Sequence, residues 1–491
     1  MGQRLKHLLF YQLVLFLTFI TSSHCYSANQ TPTFSPILPG TELPFKVEIR
    51  RGFKLPFGIQ SYASAKIDGK ILIIGGRING LHGFNNDPLN FPPNQQNYFA
   101  IVIDVIPQKV YYRSWFDSPS GLNIDQIQSL SVTSPQFYQD LPKCPCHRAK
   151  PVETLYMTGG YGYRTAAQNF TTFPFLTAID IEGLMHWVIE PDADETAAQY
   201  IRQYNDPMLA VTGGFMDQIG DKENPTLLCL GQDFEGPYFF GNNAQFYTEQ
   251  IRKFFILDNG VDLWVDFLEV APFYRNPTFR RRDLNICRVI RPTRRGRRHE
   301  LVAFGGVFTE TNGVWTIPIV IQPTGAANML DPFNPDTFKQ GMQQYACANF
   351  GLYSRSTGDM YNILMGGITA EYLTLNGFVE DTEFPFTDQV TAIKSNRRNE
   401  FTQYFLSATY PMIRSTGPNQ GNPLLFGAGA QFFTVEGIRK YAKNVIRLDR
   451  IKEKTLVGHI IGGIQSSLMN TNTQADSAAS PYVFQVFVEP Q

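Results

Sequence analysis

Short apolar runs that stop at a pair of glycines recur along the chain. Ile71–Ile74 ends in Gly75-Gly76, Leu155–Thr158 in Gly159-Gly160, Leu301–Phe304 in Gly305-Gly306 and Ile363–Met365 in Gly366-Gly367. Weaker copies lie at Leu227–Gln232 and Leu424–Gly429, and a further one at Ile460–Gly463. Runs this short, rich in Ile, Val and Leu and bounded by glycine, predict buried β-strands. Downstream of several copies comes a second strand ending in Asp104, Asp180, Asp258 or Asp449, then a third carrying Trp115, Trp187 or Trp264. The spacing is about 60 to 85 residues, and self-similarity at such a spacing marks a repeat architecture.

A repeat of this kind predicts a four-stranded antiparallel sheet that cannot shield its own faces. Packed face to face around an axis, such sheets bury those faces and leave few free edges. Glycine pairs suit strand ends where backbones crowd, and the Trp is expected to fill the space between neighbouring sheets. The reading is therefore an all-β chain, a β-propeller of six four-stranded blades, with seven left open. The 448 residues from 44 to 491, divided by a period of about 71, give about 6.3. Phe45–Arg50 alternates like a strand, as does Tyr482–Val488, and their pairing would close the ring with both chain ends.

The triplet of apolar run plus Gly-Gly, strand ending in Asp, then Trp resembles the Kelch repeat family over residues 44–491. The resemblance implies a ring-shaped scaffold whose function resides in its loops. Trp is missing from the later repeats, and Trp315 falls at the second-strand position of its own. Kelch-like propellers include a copper radical oxidase type and a sialic acid epimerase type. The Tyr–Cys pair and two His of the oxidase cannot be placed here. The epimerase offers only a loose parallel at Arg77, Arg164 and Glu235.

Composition adds limits. Aromatic content is 14%, with 40 Gly and 32 Pro, which suits many short strands and turns. The net charge of −1 favours neither nucleic acid nor an anionic membrane as the main partner. Arg4, Lys6 and His7 precede the largely apolar Leu8–Ile20, a pattern that predicts a signal peptide over 1–25, followed by a flexible leader over 26–43. The protein is thus expected to be exported and periplasmic, cell-surface or extracellular, without an integral membrane span. Beyond Cys25 the cysteines are Cys144, Cys146, Cys229, Cys287 and Cys347, an odd number that leaves at least one thiol unpaired within the chain.

In a propeller the loops between second and third strands open on one face. Here they are long, about 77–97, 161–173, 232–250 and 368–386, and long loops on a rigid scaffold are where binding usually resides. The candidate ligand-binding residues are Arg77, His82, Tyr161, Tyr163, Arg164, Asp233 and Glu235; Tyr238, Glu371 and Tyr372 lie in the same loops. Arg281 joins them from the cluster Arg280-Arg281-Arg282, a candidate anion site. A second cluster, Arg294 to Arg298, follows the next strand and is expected at the opposite end of it. No HExxH, GxSxG or P-loop is present, and no catalytic residue, metal or cofactor is assigned. The expected function is a monomeric binding module for a protein or a glycan, with a carbohydrate-active enzyme as the alternative.

Overall fold

The structure is a computed structural model. It describes residues 34–491 except 84, 86, 88, 118–119, 141–151, 192–193, 222, 240–243, 295, 312, 399, 418 and 472. The signal-peptide segment and the Cys144–His147 cluster lie outside the described residues.

Five antiparallel sheets have four strands each. The first blade runs outward as Ala63–Ile67, Lys70–Ile74, Phe99–Asp104 and Lys109–Ser114. The second comprises Gln136–Asp140, Thr154–Thr158, Phe175–Asp180 and Ile201–Asn205, and the third Phe215–Asp217, Thr226–Cys229, Ile251–Asp258 and Leu263–Ala271. The fourth comprises Asn285–Thr293, Gly296–Phe304, Ile319–Ile321 and Ala327–Met329. In the closing blade, Ala430–Thr434, Thr455–Gly462 and Tyr482–Pro490 are completed by the N-terminal Phe45–Lys54. That strand pairs antiparallel with the last one, Val47 opposite Val488 and Ile49 opposite Val486, so both chain ends share a blade as expected.

Between the fourth and closing blades stands a seven-stranded mixed sheet. Its core is Ala348–Tyr353, Met360–Ile368, Phe386–Ser395 and Phe401–Thr409. Ile37–Pro39, expected to be flexible leader, adds in parallel at its outer edge. At the inner edge a hairpin, Lys440–Ala442 and Val445–Arg447, adds by pairing Val445–Arg447 in parallel with Gly351–Tyr353. Among the described residues the four-stranded blades therefore number five, not six or seven. Ile446–Asp449, read as the second strand of a further repeat, belongs to this hairpin and the 3-10 turn after it. The Leu424–Gly429 copy is the lead-in to Ala430–Thr434 and starts no blade of its own.

The glycine pairs have a specific use. The amide of the second glycine donates across to the next sheet: Gly76 to the Val132 carbonyl at 2.8 Å, Gly160 to Val211 at 2.9 Å, Gly367 to Phe426 at 3.0 Å and Gly463 to Ile59 at 2.8 Å. At Gly159 φ is +63°, and a Cβ there would overlap the Val211 carbonyl oxygen.

A second belt lies one step further in. Ser61, Ser134, Gly213, Asp283, Ala346 and Gly429 come one from each sheet, just before its inner strand, and all have φ between +49° and +67°. Their amides run head to tail: Ser61 donates to Gly429 at 3.0 Å, Ser134 to Ser61 at 2.9 Å, Gly213 to Ser134 at 3.2 Å, Asp283 to Gly213 at 2.8 Å and Gly429 to Ala346 at 2.6 Å. Left-handed backbone in non-glycine residues persists only where surrounding structure imposes it. Here that chain of five bonds does so, and the six residues form a waist in the central channel.

Trp115 and Trp187 stack at 5.8 Å with planes 9° apart, both fully buried between the first and second blades. Trp187 reaches that place from a helix, Ile181–Ile189, rather than from a strand; Asp180, the expected strand-end Asp, caps it by accepting the Gly183 amide at 3.1 Å. Trp264 does not fill an inter-blade gap, because it faces outward from the edge strand of the third blade, 42% exposed. Trp315 is half-buried, donates Nε1 to the Arg280 carbonyl at 2.6 Å and lies under Arg281.

Candidate functional site

Above the waist the channel opens into a cavity of about 620 Å³. All four long loops reach it, together with the 305–318 and 464–480 connections and the lead-ins to the inner strands. The six waist residues line both this cavity and a second of about 840 Å³ below. The mouth therefore has a floor of hydrogen-bonded backbone and walls of loop side chains.

Three of the eight candidate residues line the cavity: Arg77, His82 and Tyr161. Arg77 is buried, lies 4.7 Å above the Phe91 ring, and is held by Asn79 Oδ1 at 2.9 Å and the Pro92 carbonyl at 3.0 Å. Burial lowers its pKa to about 10, with Tyr161 and Tyr98 opposing the fall, so it stays charged at neutral pH. His82 packs against Phe91 at 4.6 Å and Tyr238 at 4.4 Å. Burial, aided by Arg282 and Arg77, brings its pKa down to about 3 against a bond to the Gly83 carbonyl, and the ring is neutral. Tyr161 meets Phe91 edge-on at 5.5 Å and donates its hydroxyl to the Gly236 carbonyl at 2.7 Å.

The other five lie elsewhere. Arg164 is committed to a two-pronged pair with Asp125, at 2.7 and 2.6 Å, over Phe173 and Phe175. Tyr163 packs on Phe170 at 5.5 Å behind the cavity wall. Asp233 is partly buried beside Thr172, and burial, with Glu235 adding, raises its pKa; Glu235 itself is exposed outside the cavity. Arg281 is fully buried at 4.6 Å over Trp315, bonded to the Gly305 carbonyl at 3.3 Å, and burial lowers its pKa to about 9. It is a packing residue.

Its neighbour Arg282 occupies the mouth instead. Nη2 donates to the Tyr238 hydroxyl at 3.3 Å, the guanidinium lies 5.1 Å over Phe308, and Nε stands 3.5 Å from Asp283 Oδ2 without a hydrogen bond. Burial works against its charge, but Tyr238, Tyr247 and Asp283 outweigh that and the net shift is upward. The three adjacent arginines diverge: Arg280 stacks at 3.9 Å on Tyr247, Arg281 turns inward and Arg282 faces the channel. Phe91, Arg282, Asp283, Phe308, Tyr345 and Phe384 are lining residues that were not selected from the sequence.

Glu371 gives the loop face a pH response. It sits opposite Glu380 on the hairpin Glu371–Thr374 and Gly377–Glu380, with Oε2 buried and unbonded. Burial, then Glu380, raises its carboxyl to about 7 from 4.5. A folded pKa above the unfolded one means stability is full below about pH 4.5 and falls as pH rises through 7. Glu371→Gln is expected to raise Tm at pH 8 by about 1–2 °C, for a discounted gain of ~1 kcal/mol, and to leave it unchanged at pH 4. Thermal melts at the two pH values check this.

The strand pairing and the channel define the class: a β-propeller with a cavity at the loop-rich end of its channel. Among the described residues no helix is long and apolar enough to cross a membrane, and no group of three or more His, Cys, Asp or Glu could hold a metal ion. Cys229, Cys287 and Cys347 are free, buried thiols.

No family model and no curated protein matches the chain. Among solved structures it is similar to YjhT, with 10% identity over 89% of this chain and 99% of that one, at a TM-score of 0.45. It is also similar to a chain of the RAG complex with one melted and one unmelted RSS, with 9% identity over 90% and 99% and a TM-score of 0.42. A third is the GH43 β-xylosidase/α-arabinofuranosidase CoXyl43 from a compost microbial metagenome, with 10% identity over 74% and 99% and a TM-score of 0.34. At these levels of similarity it is the strand pairing above that defines the fold.

Proposed function

We propose that this protein is an exported, Kelch-like propeller that binds the end of a glycan at its channel mouth. The observation that carries this reading is the lining of the cavity. Rings of Phe91, Tyr161, Tyr238 and Phe308 surround two buried arginines, Arg77 and Arg282, in about 620 Å³. Flat aromatic faces match the C–H faces of sugar rings, while guanidinium donors fit hydroxyl and carboxylate oxygens. A concave volume in the ~300–1,000 Å³ range suits a small ligand. A protein partner needs ~800 Å² of surface on each side and would draw on the exposed rims instead. Export rests on the basic-then-apolar N-terminal segment. The Kelch-like reading rests on the glycine pairs and the buried Trp115 and Trp187.

The test is a glycan array probed with the protein secreted through its own N-terminal segment, followed by calorimetry and mass spectrometry of the recovered sugar. The expected result is binding of a short oligosaccharide recovered unchanged. Retention of a protein partner with no glycan bound would overturn the reading, and a chemically converted sugar would favour the enzyme alternative.

A further inference from the structure

The other end of the channel carries a separate set of groups. The hairpin Lys440–Arg447 lies along this lower cavity, which Lys440, Tyr441 and Lys443 help to line. Arg297, near the start of the second strand of the fourth blade, rests 4.7 Å over the Tyr441 ring, and Arg447 rests 4.6 Å over the same ring. Tyr441 meets Tyr353 edge-on at 5.2 Å. Arg397 arrives on the next turn, its Nε on the Thr357 carbonyl at 3.0 Å, near enough to Tyr353 to oppose the rise that burial gives that phenol.

Among the described residues none of these three guanidiniums is in an ion pair. The nearby Glu300 is already shared between Arg291, at 3.0 Å, and Arg298, at 2.5 Å. Asp449 is occupied by the Ser354 and Ser356 hydroxyls and the Arg355 amide, at 2.6 to 2.9 Å. In the cavity lining, Lys443 has no hydrogen bond or ion pair among the described residues; its ammonium lies 5.8 Å from the Phe137 ring. Asp217, the carboxylate that acts on it, is engaged by Arg288 at 2.7 and 2.5 Å. The carboxylates Asp68, Asp140 and Glu153 line the same cavity from the first and second blades, and Glu436 pairs with Lys66 at 2.8 Å. The hairpin side is therefore the basic one.

Unpaired arginines set on aromatic rings form a preorganised, weakly hydrated set of forked donors, suited to oxyanions. Two of them, Arg297 and Arg447, rest on Tyr441, which lines a concavity about 840 Å³ in volume together with Lys443. A thin chain can follow such a concave path, whereas a flat bilayer matches it poorly. We propose that the lower rim, with Arg297, Arg397, Arg447 and Lys443, is a second binding site, for a sulfated polysaccharide chain.

Calorimetry with size-fractionated dextran sulfate and its unsulfated parent tests this on the full chain. The sulfated polymer is expected to bind and the parent not. Affinity should fall at least about tenfold between 50 and 300 mM NaCl, as screened charge pairs require. Arg297→Ala/Arg447→Ala, at partly solvent-accessible positions, should weaken binding by about tenfold or more with Tm unchanged, and Lys443→Gln by several-fold. Equal binding of the unsulfated parent, full binding by the double variant, or binding to phosphatidylserine vesicles without binding to dextran sulfate would each overturn the proposal. If the double variant melts early, Lys443→Gln alone decides, and unchanged affinity there counts against the site.

Discussion

Gly159→Ala is expected to destabilise the protein by about 3–6 kcal/mol, a large share of the ~5–15 kcal/mol that holds a typical domain folded. Three costs coincide. A left-handed φ of +63° costs an alanine about 1–2 kcal/mol. The new Cβ overlaps backbone atoms of Val211, which no rotamer change relieves, and such overpacking costs about 1–3 kcal/mol. Moving Val211 away also stretches the 2.9 Å bond from Gly160 that ties the second sheet to the third, worth about 1 kcal/mol. Gly260 supplies the control: its φ is +89° but nothing lies within 4 Å of a Cβ there, so Gly260→Ala should lose only the first cost. Denaturant titration of both variants measures the difference. Equal losses at the two positions would mean that the glycine pairs do not seal the sheets.

Arg282→Ala is expected to weaken glycan binding at the mouth by about 30- to 150-fold, or 2–3 kcal/mol, the usual worth of a hydrogen bond to a charged group. Nε is buried and lacks a hydrogen bond, so a donor is available to a ligand oxygen without first breaking one. Arg282→Lys keeps the charge but loses the fork and the stacking on Phe308, and should retain only about a tenth of the affinity. Arg164→Ala, which breaks the pair with Asp125 outside the cavity, should leave affinity within about twofold. Calorimetry on folded variants distinguishes these outcomes, and an Arg282→Ala protein that binds normally would place the ligand elsewhere.

Much of the scaffold was written in local pattern. The glycine pairs marked where one sheet touches the next, because crowding between backbones leaves no room for Cβ. Alternation in Phe45–Arg50 and Tyr482–Val488 was enough to foresee the closing pair, since each strand buries one face. The four long loops do gather at one mouth, because the up-and-down order of strands decides which loops share an end.

What the pattern hid had physical causes. Ile446–Asp449 has the same apolar-then-Asp look as true blade strands; only its parallel partner almost a hundred residues earlier places it at the edge of the mixed sheet instead of in a blade of its own. Trp187 lies in a segment with apolar residues at 181, 184, 185 and 188, a helical spacing that the repeat period overrode in the reading. Of the six waist residues the two glycines and, less readily, Asp283 enter left-handed backbone at low cost, and nothing local says that their amides link one sheet to the next. Arg280, Arg281 and Arg282 are chemically identical in sequence, and only the turn of the backbone sends the third to the mouth.

A crystal structure of the protein soaked with the oligosaccharide selected by the array tests most directly whether the mouth holds the ligand. The predicted result is a sugar ring against Phe91 and Tyr238, within hydrogen-bond reach of Arg282 and above the waist. Sugar density on the outer blade edges, or at the lower end of the channel with only water in the mouth, would contradict it.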